Sequence, residues 1–230
     1  MPPIGMLQRR CALLCLLLAP AAQAIEPHSC RNGLFPAFAG QVRPAEVVAG
    51  SGERIHFRDD AIGCPEDHAC QQKAFLVSGD RVLVGAESGP WSCAWYFGQA
   101  REFVGWLPAD RLNLTKPGPL TPEDWAGQWA PIAGDNRILI TYQPASGLLD
   151  VEGEAYWHGG LNSLGERIIH LGAFSGQAAP QADLLQITEG EDDYACSVTL
   201  QRVADALVVT DNGHCGGMNV RFDDIYRRQP

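Results

Sequence analysis

The chain has 230 residues, of which 46% are hydrophobic and 19% are charged, and its formal net charge is −10. This length allows one or two small domains. The acidic balance argues against nucleic acid and anionic lipid as partners, because both would repel the protein.

Residues 1–24 have the three parts of a secretory signal peptide in the expected order. Arg9-Arg10 are basic, residues 11–18 are apolar, and Ala22-Gln23-Ala24 provides a cleavage site. The apolar run is too short to span a bilayer, and no later stretch reaches a spanning length. We therefore predict cleavage after Ala24 and a soluble protein in the periplasm or outside the cell.

The cysteine count after that cleavage is even, since six of the eight cysteines remain. An even set in an exported chain favours disulfide bonds over metal or redox chemistry. No C-x-x-C pair is present among them. The six are Cys30, Cys64, Cys70, Cys93, Cys196 and Cys215.

The first predicted domain covers residues 25–114. Val47-Val48 and residues 55–58 are short extended candidates, separated by Gly50-Ser51-Gly52. Residues 73–114 then read as short strands joined by tight turns. We expect the earlier segments to complete the β structure of this domain.

Residues 73–114 also carry a recognisable succession of motifs. An apolar strand at residues 74–77 precedes a Gly79-Asp80 turn and a valine-rich strand, and Gly89-Pro90-Trp91 and Gly105-Trp106-Leu107 follow. This succession resembles bacterial SH3-like (SH3b) domains. The resemblance implies a small SH3-like barrel that binds cell-wall peptide or a protein of the envelope.

Aromatic side chains crowd the same segment, and SH3-type domains receive extended peptides in an aromatic-lined groove. Strand alternation puts Trp91 and Trp95 on one face and Tyr96 on the other, so one groove cannot hold them all. Packing in the core is the simpler expectation for any single one of them. The candidate ligand-binding residues are Trp91, Trp95, Tyr96 and Trp106.

Residues 115–122 form a predicted linker, because their three prolines and one glycine resist both helix and interior strand. Thr121 and Pro122 can start a brief helix as cap and first residue. The second predicted domain covers residues 123–230.

The second domain alternates apolar and polar residues with a period of two, which is typical of strands. About seven short strands favour an antiparallel meander, and its closure into a barrel would remove exposed edges. Residues 125–129 are similar to the Gly-x-Trp opening of lipocalin-like barrels. We predict an all-β protein in which an SH3-like barrel precedes a small antiparallel β-barrel, both stapled by disulfides. The alternating runs are Ile138/Ile140/Tyr142, Leu149/Val151, Ile169/Leu171, Val198/Leu200, Leu207/Val209 and Val220/Phe222.

One disulfide can be assigned from the strand pattern. The runs at residues 194–200 and 207–222 flank a turn at Ala204-Asp205, and antiparallel pairing brings Cys196 close to Cys215. A closed loop of this length should stabilise the fold by roughly 3 kcal/mol. The block resembles exported bacterial proteins with a Cys-Gly-Gly-x-Asn-Val ending, a resemblance that implies no activity.

The other four cysteines should pair within the first domain in one of three ways, which the sequence leaves open. Because Cys93 lies in the SH3b-like hairpin, one bridge should tie an earlier segment onto that barrel.

Catalytic and metal-binding patterns are weak, so we predict no cofactor, no metal site and no catalytic residue. The six histidines have no ligand spacing, and Ser175 lacks a Gly-x-Ser-x-Gly elbow. Glu152 and Glu154 share a strand face and could serve glycoside chemistry, but such pairs usually point at water.

Three functional hypotheses remain open. The leading one is a non-catalytic binding protein of the cell envelope that recognises cell-wall peptide or an envelope protein. The second is an acidic inhibitor of a basic hydrolase such as lysozyme, which would use the acidic run at residues 189–193. The third is a hydrolase with a site in the second barrel near Glu154, His158 or His170.

Overall fold

The computed structural model describes residues 30–31, 33–98 and 101–230, and the predicted signal peptide lies outside them. The described residues are all-β, as predicted. Their fifteen strands form two antiparallel sheets of seven and eight strands. Every strand of the first sheet precedes residue 115, and every strand of the second follows residue 126.

The first sheet has the strand order β3-β2-β6-β5-β4-β1-β7. At the predicted Gly79-Asp80 turn, Gly79 has a φ of 90° and the Asp80 carboxylate accepts a hydrogen bond from the Val77 amide at 2.8 Å. This turn leads into the long strand β4. The strands are β1 Arg43–Val47, β2 Ile55–Arg58, β3 Gln71–Leu76, β4 Arg81–Ser88, β5 Trp91–Phe97, β6 Glu102–Pro108 and β7 Leu112–Leu114. Short 3-10 turns occur at Phe35–Phe38, His68–Cys70 and Ala109–Arg111.

The second sheet has the order β11-β10-β9-β8-β15-β14-β13-β12, an up-and-down meander whose last strand pairs with its first. Tyr226 lies opposite Pro131, and Arg228 lies opposite Trp129. Between β11 and β12, the Ser175 amide donates to the Glu189 carboxylate at 3.1 Å, so the sheet is nearly a closed barrel. The strands are β8 Gly127–Pro131, β9 Arg137–Gln143, β10 Leu148–Leu161, β11 Arg167–Ala178, β12 Leu184–Glu189, β13 Cys196–Val203, β14 Ala206–Asp211 and β15 Asp224–Arg228.

The strand predicted at Val220/Phe222 is wrong. These residues belong to the loop between β14 and β15, which crosses one end of the barrel and inserts both side chains into the interior. The Phe222 ring meets Phe174 edge-on at 4.8 Å. Their alternating pattern resembles that of a strand because the loop, which fills the end of the barrel, also buries its apolar side chains in the interior.

The same loop is fixed to β11 by close backbone contact. The Ala173 amide donates to the Cys215 carbonyl at 3.1 Å, and the Gly217 amide donates to the Leu171 carbonyl at 3.0 Å. A Cβ on Gly172 would lie 2.6 Å from the Cys215 carbonyl oxygen, so only glycine permits this approach.

The barrel interior is filled by side chains, as in other small barrels. Trp125 and Trp129, both fully buried, fill the end opposite the Phe222 plug. Aliphatic residues occupy the space between. The buried interior set is Trp125, Trp129, Ile138, Ile140, Leu149, Val151, Ala155, Phe174, Leu185, Ile187, Val198, Leu200, Leu207, Val209, Val220, Phe222 and Tyr226, with Cys196 and Cys215.

The two sheets share a hydrophobic cluster, hereafter the shared cluster. The outer face of β13, β14 and β15 packs against β4, β5 and β6 and against the 3-10 turn at Phe35–Phe38. Its buried members are Cys30, Phe35, Phe38, Val42, Leu83, Ala86, Cys93, Trp95, Trp106, Val203, Ala206, Val208 and Ile225.

A buried glutamine reinforces this contact between the sheets. Gln201 is 2% exposed, and its side-chain oxygen accepts hydrogen bonds from the amides of Gly40 and Val42 at 2.8 and 3.1 Å. Its amide nitrogen donates to the Val42 carbonyl at 2.9 Å. These bonds orient the segment before β1 against β13.

The described residues form three disulfides, and the predicted Cys196–Cys215 bond is confirmed with a Cα separation of 4.6 Å. In the first half the pairs are Cys30–Cys93 and Cys64–Cys70. Cys30–Cys93 ties an earlier segment to β5, as expected, and lies within the shared cluster. Disulfides of this kind fit a protein outside the cytoplasm. No helix in the described part of the chain is long and apolar enough to cross a bilayer.

Candidate functional site

Two of the four candidate aromatic residues are core residues. Trp95 and Trp106 are 1% and 2% exposed in the shared cluster, and the Trp106 indole donates to Asp60 at 2.8 Å. Both side chains are therefore occupied by contacts within the protein. They leave no surface for a ligand in this conformation.

The other two candidates, Trp91 and Tyr96, are half-buried and lie near opposite ends of β5. As the alternation predicts, they face opposite sides: Trp91 packs on the shared cluster and Tyr96 on the separate core of the first sheet. The Arg58 guanidinium covers the Trp91 ring at 4.8 Å. The four aromatic residues therefore do not form one groove.

An opening lies between the two sheets, and we call it the cleft. Its volume is about 920 Å³. One wall carries Tyr96 and Phe97 from β5, and the opposite wall is the turn between β13 and β14 with the end of β15. Residues 115–120, in the predicted linker, form a third side that is rich in proline.

Basic side chains are concentrated in the cleft, although the whole chain is acidic. They come from separate segments of the chain, and the cleft also holds four acidic residues. The basic lining residues are Arg81, Lys116, Arg202, Arg227 and Arg228; the acidic ones are Glu46, Asp80, Asp124 and Asp205.

Two of these arginines form a close pair on the barrel. The guanidiniums of Arg202 and Arg228 lie 4.9 and 5.0 Å from the Trp129 ring centroid. Both donate to the carbonyl oxygen of Asp124. Burial and the neighbouring Arg228 charge lower the pKa of Arg202.

The arginine pair was missed in the sequence, yet a signal for Arg202 exists. Val198 and Leu200 point into the barrel, so the same alternation puts Arg202 on the interior face. Arginine is seldom buried unless it is paired, and Arg202 is only 9% exposed. A charged residue on an apolar strand face is the feature that marks this site.

Arg227 joins the two walls of the cleft. Its guanidinium donates to the Gly98 carbonyl at 3.1 Å, stacks on Phe97 at 4.6 Å and lies 3.9 Å from the Glu102 carboxylate. Burial and the charge of Asp224 raise the pKa of Glu102 to about 7. Burial also raises the pKa of Asp224 to about 6.

The carboxylate and histidine residues considered for hydrolysis do not converge. Glu154 and His158 lie on the outer barrel face, where they contact Arg137 and Asp135 respectively. His170 lies on the inner side of the β10–β11 hairpin, with its ring 4.9 Å from Trp157. Glu152 is exposed on the outer face, in agreement with a water-facing pair.

The acidic run at residues 189–193 starts at Glu189, the last residue of β12, and continues through the exposed loop before β13. The Asp192 carboxylate accepts from the Tyr194 amide at 2.9 Å, and Tyr194 is 78% exposed. The Cys196–Cys215 bond follows two residues later and holds the base of the loop.

Residues 30–31, 33–98 and 101–230 contain neither a set of metal ligands nor a free thiol. That part of the chain has no group of three or more histidine, cysteine or acidic residues placed to hold a metal ion. All six of its cysteines are in disulfides.

Comparison with known proteins returns no relative: no family model, no curated protein and no solved structure matches the chain.

Proposed function

We propose that the protein is an exported, non-catalytic binding protein of the bacterial cell envelope that holds cell-wall peptide in the cleft between its two sheets. The observation that carries the proposal is the lining of the cleft. Aromatic rings, prolines and guanidiniums face one space of about 920 Å³. Pockets of this size and mixed character are typical of ligand sites.

The chemistry of the lining favours a peptide with free carboxylates. Tyr96 and Phe97 offer flat apolar surface for side chains and backbone. Arg81, at the rim of the cleft, has no carboxylate within 4.0 Å among the described residues, so it is available to an acidic ligand. The otherwise acidic surface would repel other polyanions, which concentrates anion binding in the cleft.

Co-sedimentation of the mature protein with purified insoluble peptidoglycan tests the proposal. We expect retention that Arg81→Glu and Tyr96→Ala each reduce at least about tenfold, because both residues line the cleft. Arg167→Glu and Trp91→Ala are the matched controls, since neither residue lines it.

Thermal melts of all four variants identify any loss that comes from unfolding. The proposal fails if the folded protein is not retained, or if the controls reduce retention while the cleft variants do not. If the protein is retained on envelope proteins but not on peptidoglycan, the ligand of the cleft is a protein and not cell-wall peptide.

A second candidate function is inhibition of a basic hydrolase, and the exposed acidic loop favours it. Residues 190–193 carry three carboxylates beside the exposed Tyr194, close to the Cys196–Cys215 bond, while the Glu189 carboxylate is held by the Ser175 amide. Such a loop complements the basic surface of an enzyme like lysozyme. In a lysozyme assay with excess protein, inhibition that Asp192→Asn and Asp193→Asn weaken would support it, and undiminished lysis would reject it.

A further inference from the structure

The arginine pair stands at the barrel end that faces the cleft. Arg202 is the last but one residue of β13, and Arg228 is the last residue of β15. Each guanidinium lies about 5 Å from the Trp129 ring, and each reaches the Asp124 carbonyl oxygen. The ends of β13 and β15, which lie on either side of β14, therefore bring two positive charges to one point.

The protein supplies no ion pair for these charges. Within the described part of the chain, no carboxylate oxygen lies within 4.0 Å of either guanidinium. The charges of Asp205 and Asp124 act on Arg202 from beyond 4.0 Å. The Asp124 carboxylate accepts hydrogen bonds from the Thr121 amide and hydroxyl at 2.7 and 3.0 Å. Like charges held together at a partly buried point are unfavourable unless an anion joins them.

Several donors of the pair remain available. Arg202 uses Nε and Nη1 on backbone carbonyls, including Ala206 at 3.1 Å, which leaves its Nη2 group. Arg228 uses only Nη2, which leaves Nε and Nη1 without an acceptor among the described residues. Guanidinium groups offer planar forks that match a carboxylate with two parallel hydrogen bonds.

The backbone contacts also fix the orientation of the pair. The carbonyls of Ala204 and Ala206 hold Arg202 against the β13–β14 turn, and the Trp129 face supports both guanidiniums. A receptor that is held in place before binding loses less entropy when the ligand arrives. The pair is thus preorganised toward the cleft.

We infer that Arg202 and Arg228 form the anion-recognition point of the cleft and bind a carboxylate of the ligand. This inference rests on the proposed function, because the carboxylate is that of the wall peptide. Inorganic phosphate shares the chemistry of the site, and the experiment separates the two.

Calorimetric titration of the mature protein with soluble peptides released from peptidoglycan tests the inference. The matched probe is the same peptide mixture after its carboxyl groups have been converted to amides. We expect amidation to weaken binding to the wild-type protein by about tenfold or more, which corresponds to the loss of one charged contact.

Arg228→Gln should remove most of this discrimination, because it deletes the more exposed guanidinium. Arg228→Lys should restore part of the affinity without the preference for a planar carboxylate. Arg167→Gln is the control, because Arg167 does not line the cleft: it should leave the affinity for both peptide forms and the tenfold ratio between them unchanged.

Equal affinity of the wild-type protein for acid and amide peptides would overturn the inference while leaving the proposed function intact. Binding of neither form would reject both. Competition by millimolar inorganic phosphate that Arg228→Gln does not diminish would place the anion elsewhere and also overturn the inference.

Discussion

The two β units bury their apolar surface in different ways. The barrel has an interior built only from residues 125–226, with a plug at each end. The first unit has one core of its own, and its second apolar face is covered by the outer surface of β13, β14 and β15. The first unit therefore depends on the barrel to cover one of its two apolar faces, while the barrel has an interior of its own and buries part of its outer face at the same contact.

This difference explains why the cleft is a defined space. The walls of a cleft between loosely tethered domains would move, but here the shared cluster and Gln201 hold both walls. Sites on a rigid scaffold bind with a smaller loss of entropy. The dependence of the first unit on the barrel is thus part of the binding geometry.

The largest expected effect comes from the centre of the shared cluster. Trp95→Ala removes a fully buried ring that contacts Phe35 at 5.4 Å, and should cost about 3–5 kcal/mol of unfolding free energy. Trp91→Ala, at a half-buried site, should cost much less. Urea unfolding checks this, and similar costs for the two variants would show that the shared cluster does not support the first unit.

The next largest expected effects come from removing the disulfides of the two units. Replacing Cys196 and Cys215 with alanine should cost about 3 kcal/mol on the chain-entropy account, because this bond closes a loop with a separation of 19 residues. The Cys64–Cys70 bond spans only 6 residues, so its removal should cost about 2 kcal/mol. In the variant without the Cys196–Cys215 bond, the amides of residues 212–220 should lose protection from hydrogen exchange first. Exchange that rises uniformly over the whole chain would contradict the local role of the plug.

Acid should stabilise the contact between the units. Glu102 and Asp224 have folded pKa values of about 7 and 6, both above their ordinary values, so folding takes up protons between roughly pH 4 and 7. Stability should therefore fall as the pH rises through that window.

Thermal melts from pH 5 to 8 test this expectation, with Glu102→Gln as the comparison. The Glu102→Gln variant should lose less stability between pH 5 and 8, because it lacks the buried Glu102 carboxyl group that ionises in the wild-type protein. A wild-type protein that gains stability toward pH 8 would contradict the assignment.

The smallest expected effect on stability belongs to the arginine pair. Arg228→Gln should change the unfolding free energy by less than about 0.5 kcal/mol, or raise it, because it removes a repulsion from Arg202. Denaturant midpoints check this value. A loss of about 2 kcal/mol would indicate that Arg228 holds the barrel together and is not reserved for a ligand.

The sequence predicted those features whose cause is local. Strand alternation indicated the inward faces of β9, β10, β13 and β14, and the paired runs around Ala204-Asp205 placed Cys196 beside Cys215. The turn at Gly79-Asp80 also follows from nearby residues.

The features that the sequence did not reveal depend on distant segments. Val220 and Phe222 alternate with polar residues as in a strand, although they lie in a loop. They are buried because this loop fills the open end of the barrel, which cannot be seen from the sequence. Trp95 is buried in a cluster that includes Val208 and Ile225, which are more than a hundred residues away in the sequence. The arginine pair likewise exists only because the barrel brings the ends of β13 and β15 together.

We propose that the ligand occupies the cleft between the two units. Amide chemical-shift mapping of the isotope-labelled mature protein, titrated with soluble wall peptides, tests it most directly. The account predicts saturable shifts at Tyr96, at residues 202–206 and at Arg228, with no change at Trp91 or in the loop at residues 189–193. Shifts confined to that acidic loop, or the absence of any shift, would contradict it.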